Sequence, residues 1–273
     1  MPLRLEPAFR DALAVADRPL IGMWLSTGTT LNAEICAGSG IDWLLIDMEH
    51  GPNTVISVQQ QLQVIAAYRV PTIVRVPVND AVIIKQVLDT GAQNLLVPMV
   101  GSAAEAQAAV AAVRYPPEGV RGVGSALARS GRWGRVPGYV PNASETVSLF
   151  VQIESADAVD AAAEIAAVDG VDGVLVGPAD LAASMGLPGQ QAHPDVLAAV
   201  QRVFETVTAA GKKVGVNAFD PAGADAYLAA GAHFLSASAD VTILARGAEA
   251  LAARFIPASG SDETSGADET DQY

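Results

Sequence analysis

The sequence predicts a parallel (β/α)8 TIM barrel over residues 1–256, and three observations support this fold class. Eight short apolar runs occur between residues 20 and 237, and a stretch with helical character follows each of them. Several of these helices end at a glycine, as at Gly91, Gly211 and Gly231, which is a common helix stop. The chain of 273 residues is 51% hydrophobic and poor in aromatic residues, so it can bury one large core of small side chains.

The predicted elements alternate along the chain as strand and helix. The strands cover residues 20–25, 43–47, 72–76, 94–98, 149–154, 173–177, 214–217 and 233–237. The helices that follow them in turn cover residues 31–38, 54–68, 81–88, 103–113, 156–167, 195–210, 221–230 and 241–254. A doubly wound sheet is the structural alternative, but it needs fewer strands and, for a dinucleotide, a glycine-rich loop after the first strand. Gly22 and Gly28 do not have that spacing, so the barrel is the preferred interpretation.

Charge and composition exclude several function classes. The formal net charge of -14 disfavours nucleic acid as a partner, because phosphate binding needs a basic surface. No apolar run reaches about 18 residues, so no membrane partner or membrane span is expected. Charged residues interrupt the first 20 residues, which argues against a signal peptide, and the single cysteine, Cys36, excludes an intrachain disulfide. We therefore expect a cytoplasmic protein.

Two segments lie outside the strand and helix repeat. Residues 257–273 contain five acidic residues and neither Lys nor Arg, which predicts a solvated, disordered extension beyond the barrel domain. Residues 114–148 form a long, arginine-rich interruption between the fourth and fifth strands. An insertion of this kind is usually a lid or part of a subunit contact, and its arginines suggest that it meets an anion or an acidic neighbouring surface.

The candidate chemistry lies at the strand ends, where TIM-barrel active sites are built. These ends carry Asp47, Glu49 and His50 on or after the second strand, Arg75 on the third, Gln152 and Glu154 on the fifth, and Asp180 after the sixth. Glu154 and Asp180 are on adjacent strand ends, and a pair of carboxylates with one histidine nearby suits a hard cation such as Mg²⁺ or Mn²⁺ better than zinc. Among the three histidines only His50 follows a buried strand within a cluster of acids, so it is the candidate general base.

Covalent catalysis has little support in this sequence. The three lysines, Lys85, Lys212 and Lys213, are on a helix or at the start of the seventh strand, so none is placed to form a Schiff base. The Gly-x-Ser-x-Gly motif of serine hydrolases does not occur. Carbanion chemistry at this site would therefore need a metal ion as its electrophile.

Several motifs in this order resemble the HpcH/HpaI aldolases, which are metal-dependent class II pyruvate aldolases. The matching motifs are Ala33–Gly38, Asp47–Pro52, Leu95–Val100, Arg121–Gly124, Val151–Glu154 and Val176–Leu181. The resemblance runs from about Leu20 to Phe255 and is weaker over residues 218–224 and in the tail. It implies reversible cleavage of 4-hydroxy-2-oxo acids, such as 4-hydroxy-2-oxoheptanedioate, to pyruvate and an aldehyde through a metal-bound pyruvate enolate.

The resemblance also implies roles for individual residues. His50 would be the catalytic base, Asp89 the acid that raises its basicity, and Arg75 the stabiliser of the transition state. Glu154 and Asp180 would bind Mg²⁺, Mn²⁺ or Co²⁺, and pyruvate would contact Gln152 and the Gly177-Pro178-Ala179-Asp180 loop. Asp47 would act behind this first layer by orienting a neighbour or a water.

The family resemblance further implies a homo-hexamer, a trimer of dimers that exchange C-terminal helices. The helix predicted at 241–255 has the alanine-rich and leucine-rich face that such packing requires.

Other interpretations stay open at this point. The same enolate site could serve an oxaloacetate decarboxylase or a relative that handles acyl-CoA thioesters, and a catalytically silent barrel could act as an assembly subunit. Glu49 reads as a hydrogen-bonding loop anchor outside the catalytic set, and Trp24 as pocket wall. His193 and His233 read as structural.

Overall fold

The computed structural model describes residues 5–256, so the acidic tail lies outside the described residues. Eight parallel strands close into a barrel in sequence order, which confirms the predicted fold class. The strands are β1 Leu20–Leu25, β2 Trp43–Asp47, β3 Thr72–Arg75, β4 Asn94–Val97, β5 Ser148–Ile153, β6 Gly173–Val176, β7 Lys213–Asn217 and β8 Phe234–Ala239. Each lies within two residues of its predicted position.

The helices alternate with the strands on the outside of the barrel. They are α1 Phe9–Val15, α2 Thr30–Ala37, α3 Val55–Ile65, α4 Ala81–Asp89, α5 Ala103–Val113, α6 Ala143–Thr146, α7 Ala156–Asp160, α8 Ala162–Ala166, α9 Pro178–Ser184, α10 Pro194–Ala209, α11 Pro221–Ala229 and α12 Asp240–Phe255. The sequence did not predict α1, α6 or α9, and the helix predicted at 156–167 is divided by Ala161 into α7 and α8. No helix of the described part is long and apolar enough to cross a membrane.

Helix α1 closes the N-terminal end of the barrel. Phe9 is fully buried, and its ring lies 5.4 to 5.6 Å from the rings of Trp43, Phe150 and Phe234. The Phe9 amide donates a 2.6 Å hydrogen bond to the side chain of Asn94 at the start of β4. This aromatic cluster fills the barrel interior, so only the C-terminal strand ends are left to build a site.

The main core lies between the barrel and its surrounding helices, because strands of a closed parallel barrel are buried on both faces. Helix α12 is the exception among the long helices. Only Asp240 in it is buried, while Leu244, Leu251 and Phe255 are exposed. A helix with an apolar face that its own chain does not cover is typical of a subunit contact.

The segment between α5 and β5 lies against the N-terminal half of the barrel wall. Arg129 donates hydrogen bonds to the carbonyls of Thr90, after the end of α4, and of Leu62, near the end of α3. Both carbonyls lie at the N-terminal end of the barrel, where the strands begin. The segment therefore does not cover the C-terminal strand ends of its own chain.

Candidate active site

A buried ion pair joins the ends of β2 and β3. Arg75 donates from Nε to Asp47 Oδ1 at 2.8 Å and from Nη2 to Asp47 Oδ2 at 2.9 Å. Both side chains are 2% exposed. This two-point geometry fixes the plane of the guanidinium, because a fork of two N–H groups matches both carboxylate oxygens. Asp47 Oδ1 also accepts from the Glu49 amide at 3.0 Å, so the same carboxylate shapes the following loop.

The remaining arm of Arg75 meets Glu49. Nη1 lies 2.7 Å from Glu49 Oε2, and the two groups form a close ion pair without the geometry of a hydrogen bond. Nη1 also donates a 3.4 Å hydrogen bond to Gln152 Oε1. The guanidinium carbon lies 4.2 Å from the ring centre of Trp24, in cation–π distance. Burial raises the pKa of Glu49, while the charge of Arg75 opposes that rise. Glu49 therefore belongs to the site. No local sequence pattern indicates this contact, because residues 48–50 form a bend after β2 and the contact depends on the neighbouring strand β3.

Glu154 is held in one orientation immediately after β5. Its Oε1 accepts a 2.7 Å hydrogen bond from the Met99 amide, and its Oε2 accepts one of 2.5 Å from Gln152 Nε2. Met99 has a φ of 55°, an uncommon left-handed conformation for a side chain of this size. Burial raises the pKa of Glu154 to about 7, and the nearby carboxylates of Glu49 and Asp180 add to the rise.

Asp180 lies in the first turn of α9, which begins directly after β6. A carboxylate there interacts favourably with the N-terminal end of the helix dipole. Gly177 is buried at the junction, where a Cβ atom would lie 2.8 Å from Gln152 Nε2 and 2.9 Å from Glu154 Oε2. A glycine is required because any side chain would displace these two groups. Pro178 occupies the first helical position, and Ala179 and Asp180 are exposed to the open end of the barrel.

His50 lies at the rim of this group. Its side chain is 67% exposed, and its Nε2 is 3.9 Å from Glu49 Oε2. The loop that carries it is anchored by Asn53, whose Nδ2 donates to the Asp47 carbonyl at 2.7 Å and the Leu25 carbonyl at 3.2 Å. Its backbone is thus fixed while its imidazole is free to meet a substrate or a neighbouring surface.

The structure does not bring Asp89 to His50. Asp89 ends α4, which runs from the C-terminal end of β3 back toward the start of β4. At 1.5 Å per residue, this nine-residue helix places Asp89 roughly 12 Å away from the active-site end. Its carboxylate contacts Arg121 instead, with Oδ1 3.3 Å from Nη2. Within one chain, therefore, His50 and Asp89 lie at opposite ends of the barrel.

The other histidines and the lysines lie away from this group. His193 Nδ1 accepts from the Asp195 amide at 3.2 Å at the start of α10, and His233 Nδ1 accepts from the Val214 amide at 3.2 Å. Lys212 donates to the Val171 carbonyl before β6. These contacts are structural, in agreement with the sequence-based interpretation.

The donor set fits a hard divalent cation. Among residues 5–256 no cluster of three or more His, Cys, Asp or Glu side chains is arranged to hold an ion, so a thiolate or imidazole cage is not available there. Glu154 and Asp180 instead offer two carboxylates beside Glu49, and their mutual repulsion is felt in the raised pKa of Glu154. Mg²⁺-type ions are commonly held by one or two carboxylates, with waters and substrate completing the shell.

A closed parallel barrel with convergent acids and a buried arginine at its C-terminal strand ends defines a TIM-barrel enzyme. Residues 20–246 match the model of the HpcH/HpaI aldolase/citrate lyase family, and the chain belongs to that family. It is 53% identical over 251 residues to the 4-hydroxy-2-oxo-heptane-1,7-dioate aldolase of Salmonella dublin, with 92% of this chain and 95% of the relative covered.

Solved structures share the fold, and one of them is named for the same family. An HpcH/HpaI aldolase/citrate lyase family protein from Burkholderia cenocepacia J2315 is 42% identical, with a TM-score of 0.85 and coverage of 89% of this chain and 96% of that chain. A citrate synthase is 28% identical, with a TM-score of 0.79 and coverage of 90% and 96%. The family resemblance seen in the sequence is confirmed.

Proposed function

We propose that this protein is a metal-dependent aldolase that reversibly cleaves 4-hydroxy-2-oxo acids to pyruvate and an aldehyde. The observation that carries the proposal is the group formed by Arg75, Gln152 and Glu154, with Asp180 beside it, at the open end of the barrel. The name of the 53% identical relative supports a 4-hydroxy-2-oxo acid as substrate. The presence of a single cysteine, which rules out an intrachain disulfide, supports a cytoplasmic location.

Glu154 and Asp180 would hold the metal ion, Mg²⁺, Mn²⁺ or Co²⁺. When bound, the ion would act as a Lewis acid toward the carboxylate and keto oxygens of the substrate. Gln152 would keep Glu154 oriented through their hydrogen bond, and the backbone at Gly177 to Asp180 would border the pyruvate portion. The missing Cβ of Gly177 supports this close approach.

Arg75 would stabilise the negative charge that develops on the enolate oxygen during cleavage. Its Nε and Nη2 are committed to Asp47, so Nη1 is the donor that can turn to substrate. Nη1 now faces Glu49, which would have to yield it when the substrate's oxygen arrives. Asp47 has both oxygens engaged by Arg75, so its role is to orient that guanidinium.

His50 would take the proton of the C4 hydroxyl as the bond between C3 and C4 breaks, and would return a proton in the condensation direction. Its open position at the rim supports access to the aldehyde half of the substrate. Decarboxylation of oxaloacetate passes through the same enolate but has no hydroxyl proton to remove. The two reactions therefore separate the role of His50 from that of Arg75.

The test compares both reactions in the same variants. Arg75→Ala should lower turnover of aldol cleavage and of oxaloacetate decarboxylation alike, by about two to three orders of magnitude, as when one oxyanion donor is lost. His50→Ala should impair cleavage far more than decarboxylation. Equal losses for His50→Ala, with fold and metal content intact, would contradict the assigned proton transfer.

Oxaloacetate decarboxylation or acyl-CoA lyase chemistry is the second candidate function. The family model names citrate lyase beside aldolase, and a 28% identical solved structure is a citrate synthase, so relatives of this chain carry more than one reaction. Comparing kcat/KM for oxaloacetate, an acyl-CoA thioester and 4-hydroxy-2-oxoheptanedioate decides between the candidates. A preference of more than about tenfold for either of the first two would reject the aldolase as the main activity.

We further propose that the His50 and Asp89 pair forms between two chains of a homo-hexamer. The exposed imidazole of His50 and the position of Asp89 at the other end of the barrel support contact in trans. Beside Asp89, the loop that includes Gly124 exposes the apolar side chains of Val123 and Leu127, as expected for a surface that a neighbour covers. The exposed apolar face of α12 supports a second contact of the same assembly.

Subunit mixing tests this pairing. His50→Ala and Asp89→Asn chains, each strongly impaired in cleavage alone, should regain about one quarter of wild-type activity when they are co-expressed. In a random mixture about one quarter of the interfaces join an intact His50 to an intact Asp89. The exposed variant Glu164→Gln, mixed with His50→Ala, controls for simple dilution. No recovery in a mixed hexamer, or a monomer by light scattering, would refute the trans arrangement.

A further inference from the structure

Arg121 is a fully buried cation whose side chain is 0% exposed. Its guanidinium carbon lies 4.5 Å from the ring centre of Tyr115 and 5.9 Å from that of Tyr139, so the charge is enclosed between two aromatic rings. Its Nη2 lies 3.3 Å from Asp89 Oδ1 and 3.4 Å from the Tyr139 hydroxyl. Neither the general barrel packing nor the catalytic roles above account for an arginine in this place.

Asp89 is the one carboxylate that pairs with Arg121 among the described residues. The Nε and Nη1 atoms of Arg121 are buried without a hydrogen-bond partner there, and so is the Tyr115 hydroxyl. Burial raises the pKa of Tyr115 to about 12, so this hydroxyl stays neutral and cannot supply a balancing charge. Separating a buried cation from its single anion costs free energy, because the cation would be left buried and unpaired. The position of Asp89 is therefore tied to that of Arg121.

The pairing uses only one oxygen of Asp89. Oδ1 faces Arg121, whereas Oδ2 points toward the loop at Gly124, where a Cβ would lie 3.9 Å from it. The Asp89 side chain remains 30% exposed. A carboxylate fixed through one oxygen and open through the other can accept a hydrogen bond from an incoming imidazole, as carboxylates that orient a histidine do.

We propose that Arg121, enclosed between Tyr115 and Tyr139, is a positioning residue that presents Asp89 to His50 of a neighbouring chain. This inference rests on the proposed function, in which Asp89 supports His50 as the base. Arg121 itself touches neither substrate nor His50 of its own chain. Its effect on turnover passes through Asp89.

A purely structural ion pair is the competing explanation, and it predicts a different pattern. Loss of a structural pair would lower the free energy of unfolding and reduce every reaction in proportion to the folded fraction. Loss of a positioning residue would reduce only the step that Asp89 assists. Aldol cleavage depends on the base and decarboxylation does not, so their ratio discriminates.

The first experiment is a double-mutant cycle on purified hexamers, with Arg121→Gln, Asp89→Asn and the combination. Arg121→Gln and Asp89→Asn should each lower kcat for cleavage by about 10- to 100-fold, and the double variant should be no worse than the poorer single variant. Oxaloacetate decarboxylation should change less than about threefold. Arg121→Lys, which keeps the charge, should recover part of the cleavage rate.

Arg114→Gln is the matched control, because Arg114 belongs to the same arginine-rich segment but pairs with the exposed Asp169 at 3.1 Å. Arg114 is partly exposed and its partner is 94% exposed, so removing this pair should leave both reactions unchanged. Parallel loss of cleavage and decarboxylation in Arg121→Gln, or losses that add in the double variant, would overturn the positioning role.

Subunit mixing then assigns Arg121 to one side of the interface. Arg121→Gln chains mixed with His50→Ala chains should regain cleavage activity, because some interfaces join an intact His50 to an intact Asp89 and Arg121. Arg121→Gln chains mixed with Asp89→Asn chains should not, because both lesions affect the same chain's contribution. Recovery in that second mixture would overturn the proposal.

Failure of the proposed function would look different. If His50→Ala and Asp89→Asn chains do not complement each other, the trans pairing is wrong. The coupling between Arg121 and Asp89 would then be tested by the double-mutant cycle alone. Equal and non-additive losses confined to cleavage would then show that Arg121 positions Asp89 for a partner other than the neighbour's His50, which would overturn that contact and keep only the coupling of Arg121 to Asp89. Any other pattern would reject both.

Discussion

The pKa of Glu154 predicts that metal binding weakens steeply below neutral pH. A carboxylate must be ionised to bind a cation, so protons and metal compete for Glu154. The pKa of this group is raised to about 7, chiefly by burial and also by the neighbouring carboxylates Glu49 and Asp180, against the opposing effects of the Met99 amide and Arg75. Because its pKa is raised, the carboxyl group stays protonated, and unable to bind the metal, up to a higher pH.

The size of the effect follows from a single protonation near pH 7. Glu154 is almost fully ionised at pH 8, about one tenth ionised at pH 6 and about one hundredth ionised at pH 5. The observed affinity for Mn²⁺ should therefore fall about tenfold from pH 8 to pH 6 and about a hundredfold from pH 8 to pH 5. For a carboxylate with an ordinary pKa, the fall over the same range would be much smaller.

The assay is a titration of the metal-free protein with Mn²⁺, following the free ion by electron paramagnetic resonance at half-unit pH steps from 5 to 8. Binding at pH 6 should also release close to one proton, and binding at pH 8 almost none. Glu154→Gln should bind weakly at every pH without a step near pH 7. Glu164→Gln, which changes an exposed carboxylate on α8, should follow the wild-type curve. Equal wild-type affinity at pH 6 and pH 8 would refute the reasoning.

Further predictions concern the site, the barrel closure and the absence of covalent catalysis. Gly177→Ala should weaken Mn²⁺ binding and lower turnover by about 10- to 100-fold, because its Cβ would lie 2.9 Å from Glu154 Oε2. Gly38→Ala, at the end of α2, should be neutral in the same assays, because its Cβ would come no closer than 3.4 Å to a neighbouring atom. Phe9→Ala should cost about 3–5 kcal/mol in the free energy of unfolding measured with urea. Val15→Ala, at a position 85% exposed, should stay within about 0.5 kcal/mol. A chelator should abolish activity and divalent ions should restore it, and borohydride with pyruvate should leave every lysine unmodified by mass spectrometry.

Local pattern was sufficient for most of the barrel. Strand positions could be predicted within two residues because each strand is a short apolar run between polar segments. Helix α1 was missed because it is only seven residues long and buries just Phe9 and Leu13. That burial exists only once eight strands have formed a barrel whose end needs closing. Helix α9 was missed because Gly177-Pro178 reads as a turn.

The candidate site divides in the same way. Asp47, Arg75, Gln152 and Glu154 could be found from sequence because a residue at a strand end is identified by its own neighbours in the chain. Glu49 was set aside as a loop anchor, although the closed barrel places it against Arg75. Its contact depends on the adjacency of β2 and β3, which no single segment encodes.

The sequence by itself determined the fold class, the family and the residue types of the site, because periodicity and motif order are properties of neighbouring residues. Only the tertiary structure decided which of these residues meet. It brought Glu49 to Arg75, enclosed Arg121 between two tyrosines and separated Asp89 from His50. The physical reason is that barrel closure gathers the strand ends at one pole and sends each following helix back to the other. A residue at the end of a strand therefore lies at the active-site end of the barrel, and a residue at the end of a helix lies at the opposite end. The distances between residues from different segments are set only when the sheet closes.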